Sequence, residues 1–194
     1  VVLYLNGIRY IRELNVVELN REQERNFQVM DDDAYVISGG YGGIGLEIAR
    51  KLSEKAKCNL FLQVRKNVEE YSAEKQEMIM KVINEIKDNG SQINVVCGDI
   101  SDENTLKDFT KVSRENNVKI KCIFHCAGNP GKGFLKDKST DEFNNVIFPK
   151  VAGTWNLIQF KEREKVPYLV CFSSEASVLA LPGQSDYTAA NCYM

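Results

Sequence analysis

The sequence has one histidine, one tryptophan and four prolines among its 194 residues, and no apolar run longer than a strand. Each shortage excludes something. His125 stands between Cys122 and Cys126 with no second ligand pair, so a Cys/His metal centre is not expected. The longest apolar stretches, Cys58 to Val64 and Tyr168 to Phe172, fall far short of the ~20 residues a helix needs to cross a bilayer. The opening Val1-Val2-Leu3-Tyr4-Leu5 lacks the basic region and cleavage site of a signal peptide. With 25 Lys and Arg against 27 Asp and Glu, the formal charge is −2, and no basic face interleaved with aromatics stands out. Nucleic acid is excluded as the main partner. Fixed-period repeats and low-complexity tracts are also missing.

What is present is the composition of one globular domain: 43% hydrophobic and 27% charged residues. The six cysteines (58, 97, 122, 126, 171 and 192) are dispersed, several within apolar runs, as reduced core thiols are. This predicts a reducing, cytoplasmic setting.

Asn6-Gly7 between two β-rich runs predicts a hairpin over residues 1–14. Residues 15–33 read as a polar connection closing on Asp31-Asp32-Asp33, which places a domain boundary near Asp33. Because a two-stranded ribbon is marginal alone, the hairpin is expected to belong to a sheet completed by other chain. From Ala34 onward strands and helices alternate. The strands fall at 35–38, 59–64, 93–97, 120–124 and 168–172, and the helices at 43–57, 72–89, 102–116, 141–160 and from about 185. Such alternation predicts an α/β fold, a doubly wound parallel sheet with helices on both faces. The last helix reaches Met194 without a cap, a glycine stop or a further strand, so the domain is expected to be incomplete at its C-terminus.

Directly after the first strand of this domain stands Ser38-Gly39-Gly40-Tyr41-Gly42-Gly43-Ile44-Gly45, leading into a helix. Glycine permits close approach of a ligand, and the helix aims its unpaired amides at the turn. Ser38, Gly39, Tyr41, Gly42, Gly43, Ile44 and Gly45 are therefore the expected pyrophosphate contacts of a dinucleotide. The second strand ends at Arg65-Lys66, where the adenosine ribose of such a ligand would lie. Two cations in place of an acid favour a 2′-phosphate, and so NADP over NAD. Asp99 and Ile100, after the third strand, are placed beside the adenine, although a turn role is equally open to Asp99. Cys126, Ala127 and Gly128, after the fourth strand, let the backbone run beside the ribose. His125 is read as structural.

Ser174 follows the last strand, and Tyr187 comes thirteen residues later with Asn191 four residues beyond it on the same helical face. At this point several motifs coincide. They are Ser-Gly-Gly-x-Gly-Gly-Ile-Gly, His125-x-Ala127-Gly128, Pro149-Lys150-Val151-x-Gly153, Phe172-Ser173-Ser174, and Pro182-Gly183-Gln184-x-x-Tyr187-x-Ala189-Ala190-Asn191. Together they resemble the ketoreductase domain of modular polyketide synthases, a branch of the short-chain dehydrogenase/reductase superfamily, over residues 34–194.

The resemblance implies a Rossmann-like catalytic domain over 34–194 and makes residues 1–33 the last hairpin and linker of a preceding structural subdomain. It implies NADPH as cofactor, and as partners an acyl carrier protein bearing the ketoacyl chain together with the other domains of a synthase. It also implies a catalytic set of Tyr187, Ser174, Lys150 and Asn191. The lysine that most short-chain reductases carry four residues after the tyrosine is replaced by Asn191, and Lys150 occupies the upstream place used in the polyketide branch.

The chemistry of these side chains agrees. A tyrosine of ordinary pKa ~10 can donate the proton that ketone reduction needs, an ammonium stabilises the phenolate left behind, and a serine can hydrogen-bond the carbonyl oxygen. Neither stereochemical fingerprint of the family is present, since Asn129-Pro130-Gly131-Lys132 replaces one and Leu179 the other. Product configuration and the choice between α- and β-keto substrates therefore stay open. Two other readings are weighed beside this one. A non-reducing scaffold domain would normally lose a motif residue, whereas a free-standing dehydrogenase would keep the lysine after the tyrosine.

Overall fold

The computed structural model describes residues 2–11, 13, 15–16, 27–115, 118–179 and 181–194. Residues 17–26 of the expected linker and the end of the helix expected over 102–116 lie outside the described residues. The hairpin forms as expected: β1 (Val2–Leu5) pairs antiparallel with β2 (Ile8–Ile11), Leu5 opposite Ile8. Asn6 (φ 50°) and Gly7 (φ 78°) both take the left-handed conformation that a two-residue hairpin turn demands. Leu3, Tyr4, Leu5, Ile8, Tyr10 and Ile11 of this ribbon are exposed.

The remaining strands form one parallel sheet. They are β3 (Ala34–Ser38), β4 (Asn59–Val64), β5 (Gln92–Cys97), β6 (Ile120–His125) and β7 (Tyr168–Cys171), in the spatial order β5-β4-β3-β6-β7. The chain moves outward one way from β3 and then returns to build on its other side. The strand order therefore reverses between β3 and β6, and in open α/β sheets ligands bind in the crevice at that switch point.

Side chains of β3 alternate between two cores, as a pleated strand requires. Tyr35 and Ile37, with Leu60 and Leu62 of β4, meet α1 (Gly43–Ser53) and α2 (Ala73–Asp88) through Leu46, Ala49, Ile79, Ile83 and Ile86. Ala34 and Val36, with Phe61 and Ile123, meet α3 (Glu103–Glu115) and α4 (Thr140–Arg163) through Leu106, Phe109, Leu157 and Phe160. Helices therefore cover both faces. The last helix, α5 (Ser185–Tyr193), packs against α4. No helix among the described residues is long and apolar enough to cross a membrane.

Two helices differ from the sequence expectation. α1 stops at Ser53 rather than 57, because the Lys57 amide takes the Asp31 carboxylate (2.8 Å) and its carbonyl takes the Asp32 amide (2.9 Å). α4 is longer at both ends. Ser139 and Glu142 form a capping box that starts it at Thr140, and the left-handed Lys165 (φ 54°) turns the chain only after Arg163. Beneath the sheet, Asp33 collects Lys121 Nζ (2.7 Å), Tyr35 Oη (3.0 Å) and the Met30 amide (2.7 Å), which ties residues 30–33 to the strands.

Candidate active site

The chemistry of the glycine-rich turn suits an anionic ligand. Gly42 caps α1 without any side-chain hydrogen bond, and the first turn of the helix carries no acid. Its leading amides are therefore left without a side-chain acceptor. Gly39 has φ +67°, and a Cβ there would lie 2.9 Å from the Ala127 Cα. This position needs glycine for its backbone angle and for its contact with the loop after β6.

Two buried side chains hold the turn in place. Gln63, 1% exposed at the end of β4, accepts from the Gly39 amide (3.1 Å) and donates to the Gly98 carbonyl (2.6 Å), so it bridges the turn to the end of β5. Ser38 Oγ accepts from the amides of Cys126 and Ala127 (both 3.2 Å) and lies 2.6 Å from His125 Nδ1. With both amides donating to it, the hydroxyl gives its own proton to Nδ1, and the imidazole is the neutral Nε2–H tautomer. Burial lowers the His125 pKa to about 4, with Lys150 acting in the same direction and the Pro149 backbone opposing. His125 thus holds Ser38 through Nδ1, while its Nε2 is buried without a partner.

A cleft of about 550 Å³ opens along the carboxyl ends of the strands. Gly39, Tyr41, Gly42, Arg65, Asp99, Ile100, Cys126, Ala127 and Gly128 line it. Ser38, Gly43, Ile44 and Gly45 are not among its lining residues; Ser38 and Gly45 are buried, whereas Gly43 and exposed Ile44 open α1. Lys66 does not reach the cleft wall, and the second cation there is Lys75 of α2. Asp99 realises its turn role, since Oδ1 accepts from the Ser101 amide (2.8 Å) and hydroxyl (2.6 Å).

The expected catalytic residues come from three elements, α4, the end of β7 and α5, and are not among the residues that line this cleft, although Gly128 and Pro149 beside Lys150 are. Lys150 on α4 is 4% exposed, and its Nζ donates to the Phe172 carbonyl (2.9 Å) and touches Met194 Sδ (3.3 Å). A Cβ on Gly128 would lie 2.9 Å from Lys150 Cε, so the lysine reaches its place across a bare backbone. Burial lowers the Lys150 pKa from the ordinary lysine value, with the Cys171 and Cys126 thiols opposing. Ser174 Oγ accepts from the Ala176 amide (3.2 Å), which leaves its own proton free to donate. The neighbouring Ser173 hydroxyl donates to the Asn191 carbonyl (3.0 Å) and joins the end of β7 to α5. Tyr187 is half-buried on α5, and Asn191 Nδ2 donates to its carbonyl (2.7 Å). Asn191 Oδ1 is buried without a partner, and Asn191 makes no bond to Lys150.

The family model of the KR domain matches residues 33–194. The chain belongs to the KR domain family. Among relatives of this KR domain, polyketide synthase PksM of Bacillus subtilis (strain 168) is 32% identical over 190 residues, which are 98% of this chain and 4% of that protein. A ketoreductase domain from the bacillaene assembly line superposes with a TM-score of 0.81 at 25% identity, over 100% of this chain and 44% of that one. An N-terminal ketoreductase from the macrolactin assembly line gives 0.75 at 30% identity, over 87% and 33%. The KR domain thus spans a few per cent of that synthase and under half of either solved chain. KR domains are oxidoreductases of the short-chain dehydrogenase/reductase superfamily.

Sequence reasoning missed Gln63, Tyr71, Lys75, Asn129 and Pro149, all of which line the cleft of this KR domain. Two carried a readable signal. Gln63 interrupts an apolar strand, and Pro149 falls inside a helix. The edge-on packing of Tyr71 against Tyr41 (6.3 Å between rings) joins residues thirty apart and left none.

Proposed function

We propose that this KR domain reduces a ketoacyl thioester, most simply a β-ketoacyl chain carried on an acyl carrier protein, to the hydroxyacyl form at the expense of NADPH, as one domain of a polyketide synthase. When bound, the cofactor supplies a hydride to the carbonyl carbon. The uncapped start of α1 and the glycine turn suit its pyrophosphate, and Arg65 and Lys75 at the cleft suit a 2′-phosphate.

The protein's own residues handle the oxygen. Ser174 holds the carbonyl through its free hydroxyl proton, an interaction worth about 3 kcal/mol where one donor is well aimed at a developing oxyanion. Tyr187 gives the proton that turns this oxygen into the product hydroxyl. Lys150 contributes positive charge from a fixed, desolvated position, which favours the phenolate left after transfer. Asn191 keeps a buried carbonyl oxygen free for a water or the lysine. The observation that carries this reading is the bond of the buried Lys150 amine to the Phe172 carbonyl, two residues before Ser174, with the same amine against Met194 just past α5.

The test uses the full-length protein with NADPH and a β-ketoacyl thioester. Nicotinamide absorbance is expected to fall, and Tyr187→Phe is expected to abolish the loss while NADPH still binds. Binding without turnover in the wild type would refute the proposal.

A further inference from the structure

We infer that the buried ion pair between Lys138 and Asp186 is a positioning device that sets α5, and with it Tyr187, against α4, which carries Lys150. The inference rests on the catalytic roles just proposed for Tyr187 and Lys150.

The Lys138 side chain is 5% exposed and that of Asp186 is 0% exposed, yet the two residues are 48 apart in sequence. Lys138 lies one residue before the Ser139 cap of α4, and Asp186 lies in the first turn of α5. The pair therefore joins the N-terminal ends of the two helices. At the far end of α5, Lys150 Nζ touches Met194. The helices thus meet through the ion pair at the start of α5 and through this contact just past its end, with Tyr187 immediately after the ion pair.

Asp186 does more than meet the lysine. Its Oδ1 accepts from the Tyr187 amide at 2.9 Å, while Oδ2 takes Lys138. Gly131 presses on it from the loop after β6, where a Cβ would lie 2.5 Å from Oδ1 and 3.1 Å from the Tyr187 Cβ. The carboxylate is therefore held by the lysine, the tyrosine backbone and the bare Gly131. The Tyr187 amide turns with α5, so a rotation of the helix about its axis would break the Lys138 contact and shift Asp186 against Gly131.

Stability is a weak reason for such a pair, because removing two charges from water costs about as much as their attraction returns. Fixing one register among several is the better-attested use of a buried polar contact. Here the register matters because a catalytic group misplaced by ~1 Å can lose about 10²-fold in rate.

The experiment measures kcat, KM, NADPH affinity and thermal midpoint on the full-length protein, with NADPH and a β-ketoacyl pantetheine thioester. The variants are Lys138→Met, Lys138→Arg, Asp186→Asn and the double variant Lys138→Met/Asp186→Asn. The single neutral variants are expected to lose both stability and kcat. The double variant buries no lone charge, so it is expected to fold but still to lose about 10²-fold in kcat with NADPH affinity unchanged. Lys138→Arg is expected to restore kcat. A double variant that turns over like the wild type overturns the positioning role and leaves the catalytic reading standing. Wild-type protein that binds NADPH but reduces no thioester overturns both.

Discussion

The Asn129 side-chain amide donates to the Asn145 carbonyl at 2.7 Å, a carbonyl left without its helical partner because Pro149, four residues on, has no N–H. The same Asn129 uses Oδ1 to accept from Arg65 Nη2 at 2.9 Å. A proline in a helix thereby reaches, through one side chain, to the cation expected to meet the cofactor's 2′-phosphate.

Asn129→Ala is accordingly expected to release Arg65 and to tighten NADPH binding while lowering stability by about 1 kcal/mol for the lost hydrogen bond. Arg65→Asp is expected to move preference toward NADH. Titrations of both variants with each nucleotide check this, and weaker NADPH binding by Asn129→Ala would contradict the link.

Gly128→Ala places a methyl 2.9 Å from Lys150 Cε, so the lysine must shift and strain the bond of its amine to the Phe172 carbonyl. The variant is expected to bind NADPH but to lose about 10²-fold in kcat. Steady-state kinetics beside a fluorescence titration would separate the two effects.

Gln63→Leu removes both bonds of the bridge and leaves the Gly39 amide and the Gly98 carbonyl without their partner. A loss of about 2 kcal/mol in stability is expected, together with weaker nucleotide binding because the turn is no longer held. Denaturant melts and nucleotide titrations test it, and unchanged affinity would show that the turn keeps its shape unaided.

His125 gives a pH signature. Its folded pKa of about 4 lies below the ordinary 6.5, so between those values the unfolded chain binds a proton that the folded chain refuses. Stability should fall as pH drops through this window, by up to about 3 kcal/mol, and no further from this group below it. Thermal midpoints of the wild type and His125→Asn, measured from pH 7 to 4, should converge toward acid. Parallel curves would contradict the assignment.

Much of this was legible in the chain. The βα alternation, the glycine turn before α1 and the Asn6-Gly7 hairpin are local patterns, and local patterns survive folding. Helix ends were less legible, because α1 is stopped by Asp31 and Asp32 from a distant segment rather than by a residue of its own. In the site, Arg65 was readable because it directly follows a strand. Lys75 was not, because only the path of the chain between β4 and α2 brings it back to the cleft. The Lys138 and Asp186 pair obeys no spacing rule, since two helices packing together create it.

Ser38 fastens the glycine turn to the loop after β6 at the floor of the cleft, through one hydroxyl that reaches two amides and an imidazole. The two rims consequently share a spine and cannot part at their base.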